Sequence, residues 1–276
     1  MGNSSSGSSN TARGGSSSNT TRQQHVSQAQ RTGVLSLKGL NLRKWPENDI
    51  AQVQAMLRSL DLSKNKLPDI PSSVGQLAAV KTINLSENTI ELYPHSSDNI
   101  PLSTNDELCL KREIPDEIAQ CSRLDNFNIS NNCLTLLNPS MAALKHLRNL
   151  NASHNQLTSF PSFVCDIATL DYLDLSHNMI DLLPSSLETL KVVEINLNNN
   201  KVPQLPASIA QCPRLKVLRV EQNELILSGI PDVLLMDSKI SLLAAEGNNF
   251  SMRDLEEMPG YDKYLERFSA VRRKLD

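Results

Sequence analysis

Eight segments of the chain follow the pattern L-x-x-L-x-L-x-x-N, with Val, Ile, Phe or Ala standing in for some leucines. They begin at Leu57, Val80, Leu124, Leu147, Leu170, Val192, Leu215 and Ile240. Successive starts lie 23, 44, 23, 23, 22, 23 and 25 residues apart. A weaker unit, "TGVLSLKGL" from Thr32, precedes them and carries "WP" where later units carry "IP" or "LP". A period in this range means that one small structural unit is stacked on copies of itself.

The pattern dictates what each unit does. L-x-L alternates as a short strand does, with two apolar side chains inward and the middle one outward. So short a strand cannot bury its face alone, and neighbouring units must stack on it. The chain turns straight after the strand and leaves backbone N–H and C=O groups inside that need partners. Asparagine has two donors and an acceptor on a short stem and can bridge one coil to the next. The predicted ladder is Asn65, Asn88, Asn132, Asn155, Asn178, Asn200, Asn223 and Asn248, all buried and structural. Pairs such as Ile70-Pro71, Leu183-Pro184 and Leu205-Pro206 start the outer turn, because proline fixes φ. Segments such as "SSVGQLAAV" supply a short helix or 3₁₀ turn on the outside.

These units are leucine-rich repeats. The expected fold is an α/β solenoid, a curved horseshoe with parallel strands on its concave face and short helices or 3₁₀ turns on its convex face. The repeats occupy residues 32–250, as an N-terminal capping unit and eight repeats. The 44-residue interval is one repeat plus a surplus at about residues 94–114, "PHSSDNIPLSTNDELCLKREI". This segment lacks the asparagine, and its Leu108 and Leu110 stand too close to Pro115 for an intact unit. A protruding loop is favoured over a degenerate repeat.

Both ends differ from the middle. Residues 1–31 are rich in Ser, Thr, Asn, Gly and Gln, contain no Asp, Glu or Lys, and read as a disordered tail. Residues 251–276 read as a capping helix. In it Tyr261, Tyr264, Leu265, Phe268, Val271 and Leu275 recur at helical spacing, while Arg267, Arg272, Arg273 and Lys274 form a solvated face. The chain begins Met1-Gly2-Asn3-Ser4-Ser5-Ser6, which fits the N-myristoylation signal with Gly2 as the acceptor. One myristoyl chain gives only marginal, reversible membrane binding. The first cysteine is Cys109, so palmitoylation beside Gly2 is excluded. The expectation is a lipid-anchored protein at the cytoplasmic face of a membrane with a cytosolic pool.

Composition limits the alternatives. The net charge is −3 and aromatics are 4%, which argues against nucleic acid as a partner. The five cysteines form no Cys-x-x-Cys pair, and no apolar signal segment opens the chain, so reduced thiols in the cytosol are expected. Cys121 and Cys212 occupy equivalent repeat positions and read as packing residues. No phosphate-binding glycine loop, nucleophile elbow or H-E-x-x-H motif is found. No enzyme, cofactor or small-molecule substrate is therefore expected. Asn84-Leu-Ser, Asn128-Ile-Ser and Asn151-Ala-Ser match the glycosylation sequon but read as by-products of the repeat.

A protein partner remains, and the concave face is where it would bind. Outward positions form a polar surface from which Tyr172, Asp174, His154, His177, Asn151, Asn128, Glu194 and Arg219 are the candidate contacts, Tyr172, Asp174 and the two histidines foremost. His154 and His177 recur on adjacent strands, about 5 Å apart. No cysteine or well-placed carboxylate completes four ligands there, so no metal is expected.

The end of the chain, "LLAAEGNNF" from Leu242 and "GYDKYLERFSAVRRK" from Gly260, resembles an intracellular leucine-rich repeat family. "MGNS", "HVSQAQRTGVLSLK" from His25, "VVEINLNNNKV" and "CPRLKVLR" resemble it too, so the likeness covers nearly the whole chain. The long Ser/Asn tail and the 94–114 insertion depart from it. The resemblance implies a small lipid-anchored protein without established activity and supports Gly2 as the lipid site. The L-x-x-L-P units are similar to those of intracellular scaffolds that bind Ras-pathway or phosphatase components, an analogy at the level of fold. The sequence thus reads as a non-enzymatic interaction module or scaffold, N-myristoylated and reversibly membrane-associated. The alternative is a soluble regulatory subunit of a phosphatase or small-GTPase pathway, without a lipid anchor.

Overall fold

Each repeat contributes one three-residue strand, and its outer proline turn brings the chain back for the next. The computed structural model describes residues 15–90 and 114–272. The strands are β1 (Val34–Ser36), β2 (Ser59–Asp61), β3 (Thr82–Asn84), β4 (Asn126–Asn128), β5 (Asn149–Asn151), β6 (Tyr172–Asp174), β7 (Glu194–Asn196), β8 (Val217–Arg219) and β9 (Leu242–Ala244). They form one nine-stranded parallel sheet in sequence order. The central residues Leu35, Leu60, Ile83, Phe127, Leu150, Leu173, Ile195, Leu218 and Leu243 align in register. All nine are buried. A fully buried leucine contributes about 1.5–3 kcal/mol, and a lone three-residue strand has no stability of its own, so the stack is the folding unit. The outer side carries 3₁₀ turns, Ser72–Gln76 and Ala207–Gln211 among them, each following its proline. The α/β leucine-rich repeat solenoid is the observed architecture.

The asparagine ladder joins every coil to the one before it. Asn155 shows the scheme. Its Nδ2 donates to the Ala152 and Ser153 carbonyls of its own turn and to the Ile129 carbonyl of the preceding coil, while its Oδ1 accepts from the Leu134 backbone N–H at 3.0 Å. Asn65, Asn88, Asn132, Asn178, Asn200 and Asn223 repeat this and are buried. Asn248 makes the same bridge to Leu225 but is half-buried rather than buried, because no further coil covers it.

The residue before each ladder asparagine has positive φ. Lys64, Glu87, Asn131, His154, His177, Asn199 and Gln222 all lie between 52° and 58°. The end coils use Gly39 and Gly247 at the same place, the residue type that adopts this conformation without a Cβ clash.

β3 and β4 pair directly, Thr82 with Asn126, although one normal unit and the surplus separate them. Among the described residues no strand lies between them. The insertion at 94–114 otherwise falls outside the described residues, save for the buried Ile114.

Both ends are capped, and here the structure corrects the sequence reading. Residues 15–31, which the sequence reading places in a disordered tail, form α1 together with Thr32 (Gly15–Thr32). Val26 and Ala29 of α1 are buried in the core, and Arg22 is ion-paired to Asp49 of α2 (Glu47–Ala51). Two apolar side chains one turn apart suffice because tertiary packing, rather than intrinsic propensity, holds the helix. At the other end lie α3 (Asp232–Met236), α4 (Met252–Glu256) and α5 (Tyr261–Arg272). The Leu243 backbone N–H of the edge strand β9 donates to Tyr264 Oη at 3.0 Å. An open sheet edge is an aggregation hazard, and this bond occupies one of its donors. Leu265 is 41% exposed and does not join the apolar face assigned to it. Arg267 is not on a solvated face either: it is half-buried and donates to the Leu235 and Ile240 carbonyls at 2.6 and 3.0 Å.

Candidate functional site on the concave face

Two rows of side chains line the concave face, one from the first residue of each strand and one from the third. Most of the third-residue row is committed to the backbone. Asp61, Asn84, Asn128, Asn151, Asp174 and Asn196 each accept, through Oδ1, the backbone N–H two residues on, at 2.9–3.1 Å. These are Asx turns, in which a short polar side chain stands in for a turn hydrogen bond. Ser86, Ser153 and Ser176 hydroxyls donate to the same oxygens. Asn128, Asn151 and Asp174 were assigned as partner contacts on the strength of facing outward, and the structure gives them this prior duty. Asp174 is the most fully committed of them. It is 8% exposed, and its second oxygen accepts from Tyr172 Oη at 3.2 Å. The recurring D/N-x-S, visible in the sequence as DLS, NLS, NIS and NAS, is the signal for these turns and accounts for the sequon matches.

The first-residue row is the freer one, with Asn126, Asn149, Tyr172 and Glu194 at its centre, all half-buried. Asn126 and Asn149 bond each other through their amides and were missed from sequence: Tyr172 and Glu194 of the same row stand among the sequence candidates, but the row was not extended to the strands beside them. Tyr172, Asp174, Glu194 and Arg219 form one cluster across β6 to β8. Arg219 Nε donates to Glu194 Oε1 at 2.9 Å. Burial pushes the Tyr172 hydroxyl up to about 12, and the negative charges of Asp174 and Glu194 add to this. The phenol is therefore neutral at physiological pH and keeps its proton for hydrogen bonding. It is an aromatic anchor beside an ion pair, the composition of an interface hot spot.

His154 and His177 lie just beyond the strands, at φ of 52° and 54°. Their rings stack with centroids 4.0 Å apart and planes 10° from parallel. Burial and the neighbouring His154 hold His177 below the ordinary histidine value, with Asp174 opposing. Among the described residues no group of three or more His, Cys, Asp or Glu side chains converges as a metal site would. Gly2 lies outside the described residues. Among them, no helix is long and apolar enough to cross a membrane.

Comparison with known proteins agrees with this architecture. The Leucine Rich Repeat family model matches residues 56–77, 146–167 and 169–190. The chain is 36% identical over 69 residues to plant intracellular Ras-group-related LRR protein 7 of Oryza sativa subsp. japonica, covering 25% of this chain and 26% of that protein. It is 28% identical over 194 residues to a probable inactive serine/threonine-protein kinase, roco10, of Dictyostelium discoideum, covering 67% of this chain and 6% of that protein. The chain thus spans 26% and 6% of the length of these relatives. Among solved structures it is similar to the leucine-rich repeat domain of APL1B, at 18% identity and a TM-score of 0.59, over 88% of this chain and 64% of that one. Internalin C2 of Listeria monocytogenes gives 18% identity and a TM-score of 0.58, over 80% and 83% of the two chains. At such identities the likeness is one of fold.

Proposed function

Because the chain is a leucine-rich repeat protein, with one long sheet face turned outward, we propose that it is a non-enzymatic binding module. Its concave face takes a protein partner, and its N-terminus is tethered reversibly to the cytoplasmic face of a membrane by a myristoyl group on Gly2. The observation that carries the partner site is the cluster of Tyr172, Glu194 and Arg219 in the middle of the face, with Asn126 and Asn149 beside it. It offers an aromatic surface, a charge pair and amide groups to a polypeptide with many hydrogen-bonding groups. Asp174, His154 and His177 frame it: the carboxylate holds the turn and the phenol, and the stacked rings close the strand-exit side. The tether rests on the M-G-x-x-x-S start.

The test is proximity labelling in cells, read by mass spectrometry, with wild type, Gly2→Ala and Tyr172→Ala/Arg219→Glu side by side. Gly2→Ala should exchange membrane neighbours for soluble ones. The concave-face variant should lose a discrete set of neighbours while staying at the membrane. Identical neighbour sets in all three would defeat the reading.

A further inference from the structure

The face that would lie against the membrane can be read from charge. The chain is slightly acidic overall, with a net charge of −3. A group of its cations nevertheless lies along one edge, where the backbone enters the strands. The residue just before each strand donates its N–H to the corresponding carbonyl of the coil before. Lys81 donates to Arg58, Asp125 to Lys81, Arg148 to Asp125, Asp171 to Arg148, Val193 to Asp171 and Lys216 to Val193, all at 2.8 Å. Strand spacing puts neighbours in this row about 4.8 Å apart.

The dense part of the edge is Arg58, Lys81, Arg123, His146 and Arg148, all exposed. Lys81 and Arg123 line one shallow hollow with Asp125, His146 and Arg148, and a second with Met56 and Arg58. Arg58, Lys81 and Arg123 have no ion pair among the described residues. Arg148 lies 3.8 Å from Asp125 and 3.9 Å from Asp171. Farther along, Lys191, Arg214, Lys216 and Lys239 continue the edge, also exposed. The opposite edge has cations too, Lys66 and Lys201 among them, but in its positive-φ row the one cation, Lys64, is paired with Glu87 at 3.3 Å. Met56, an apolar side chain 43% exposed, sits beside Arg58.

We propose that this strand-entry edge docks on an anionic bilayer surface, as the second signal that a single myristoyl chain requires. The proposal rests on the tether reading above and adds the face and the lipid chemistry. Three features favour a bilayer as the occupant. All strands are parallel, so their entry ends share one lateral edge that a flat surface can touch without covering the concave face. Clustered Lys and Arg side chains are attracted to phosphatidylserine headgroups, and Met56 can enter the headgroup layer. The chain leaves α1 at Thr32 and enters β1 at Val34, so the N-terminal segment that carries Gly2 joins the sheet at this same edge.

The test is vesicle co-sedimentation of the full chain, both myristoylated and unmodified, on phosphatidylcholine alone and on phosphatidylcholine with phosphatidylserine. Phosphatidylserine should strengthen binding of both forms, in a manner that salt suppresses. Arg58→Glu/Lys81→Glu/Arg123→Glu should weaken phosphatidylserine binding about tenfold or more and leave phosphatidylcholine binding of the acylated form unchanged. Lys66→Glu/Lys201→Glu, on the strand-exit edge, should retain it. No gain from phosphatidylserine, or an equal loss in both variants, overturns the proposal, as does an edge that binds a polyanionic oligonucleotide but ignores vesicles. If intact mass shows no acyl group on Gly2 in cells, the tether fails separately, and the response of the unmodified protein still decides the edge.

Discussion

The Glu221 backbone N–H donates to Asn198 Oδ1 of the preceding coil at 2.8 Å, and Asn198 Nδ2 returns a bond to the Glu221 carboxylate at 2.6 Å. This pair replaces an Asx turn. In the preceding strands from β2 onward an Asp or Asn accepts the N–H two residues on, but the eighth strand has Arg219 there, which has no acceptor. Asn198→Ala leaves the Glu221 N–H without its partner and should cost about 1–3 kcal/mol in urea unfolding. Adding Arg219→Asn restores a local acceptor and should recover part of the loss. Additive losses in the double variant would show that the exchange of acceptors is not real.

The asparagine ladder should grade from centre to end. Asn155→Ala strands the Leu134 N–H and three carbonyls in the interior and should lower stability by about 2–4 kcal/mol. Asn248→Ala should cost visibly less, because water reaches the terminal coil. Urea midpoints of the two variants, measured together, check the order, and equal shifts would contradict it.

The thiols should be inert where they are buried. Burial pushes Cys121 up to about 11 and Cys212 up to about 12, and each donates to a backbone carbonyl, of Val74 and Leu187 respectively. The thiolate is the reactive form, so alkylation at mildly alkaline pH should spare these two until the protein is denatured. Peptide mass spectrometry of native and denatured samples gives the answer. Modification of either at the denatured rate would refute the packing role.

Protonation of His177 should be unfavourable. His177 is held below its ordinary value of 6.5, first by burial and then by His154. A depressed folded-state value means that the unfolded chain takes up the proton first as pH falls. Its contribution to stability is complete above 6.5 and is lost as pH drops through the folded-state value. Proton NMR should place the His177 midpoint below that of a free imidazole, and His154→Gln should move it upward. A midpoint unaffected by the substitution would remove His154 as a cause.

What could be read from the sequence depended on periodicity. The ladder from Asn65 to Asn223 and the core leucines recur at one spacing, so each position is predicted by all the others, and their burial followed. Features that occur once had no such support. Val26 and Ala29 are two apolar residues in a polar stretch, and nothing local announces that they complete a core. Arg267 looks like any helix-surface arginine until the open carbonyls of Leu235 and Ile240 are set beside it. The Asx turns were periodic too, yet the same D/N-x-S was read for which way the side chain faced rather than for what its oxygen accepted. The candidate site was therefore legible as a face, with Tyr172, Glu194 and Arg219 upon it, and not as the division of its residues between holding turns and meeting a partner.

The direct pairing of Thr82 with Asn126 has a practical consequence. Strand register here is settled between adjacent coils and carries no memory of the chain length that joins them. The junction between Ile90 and Ile114 is thus a natural splice port. A fluorescent domain or an affinity epitope exchanged for the native segment would leave the sheet running in the same phase on both sides, and would report on the assembly without redrawing it.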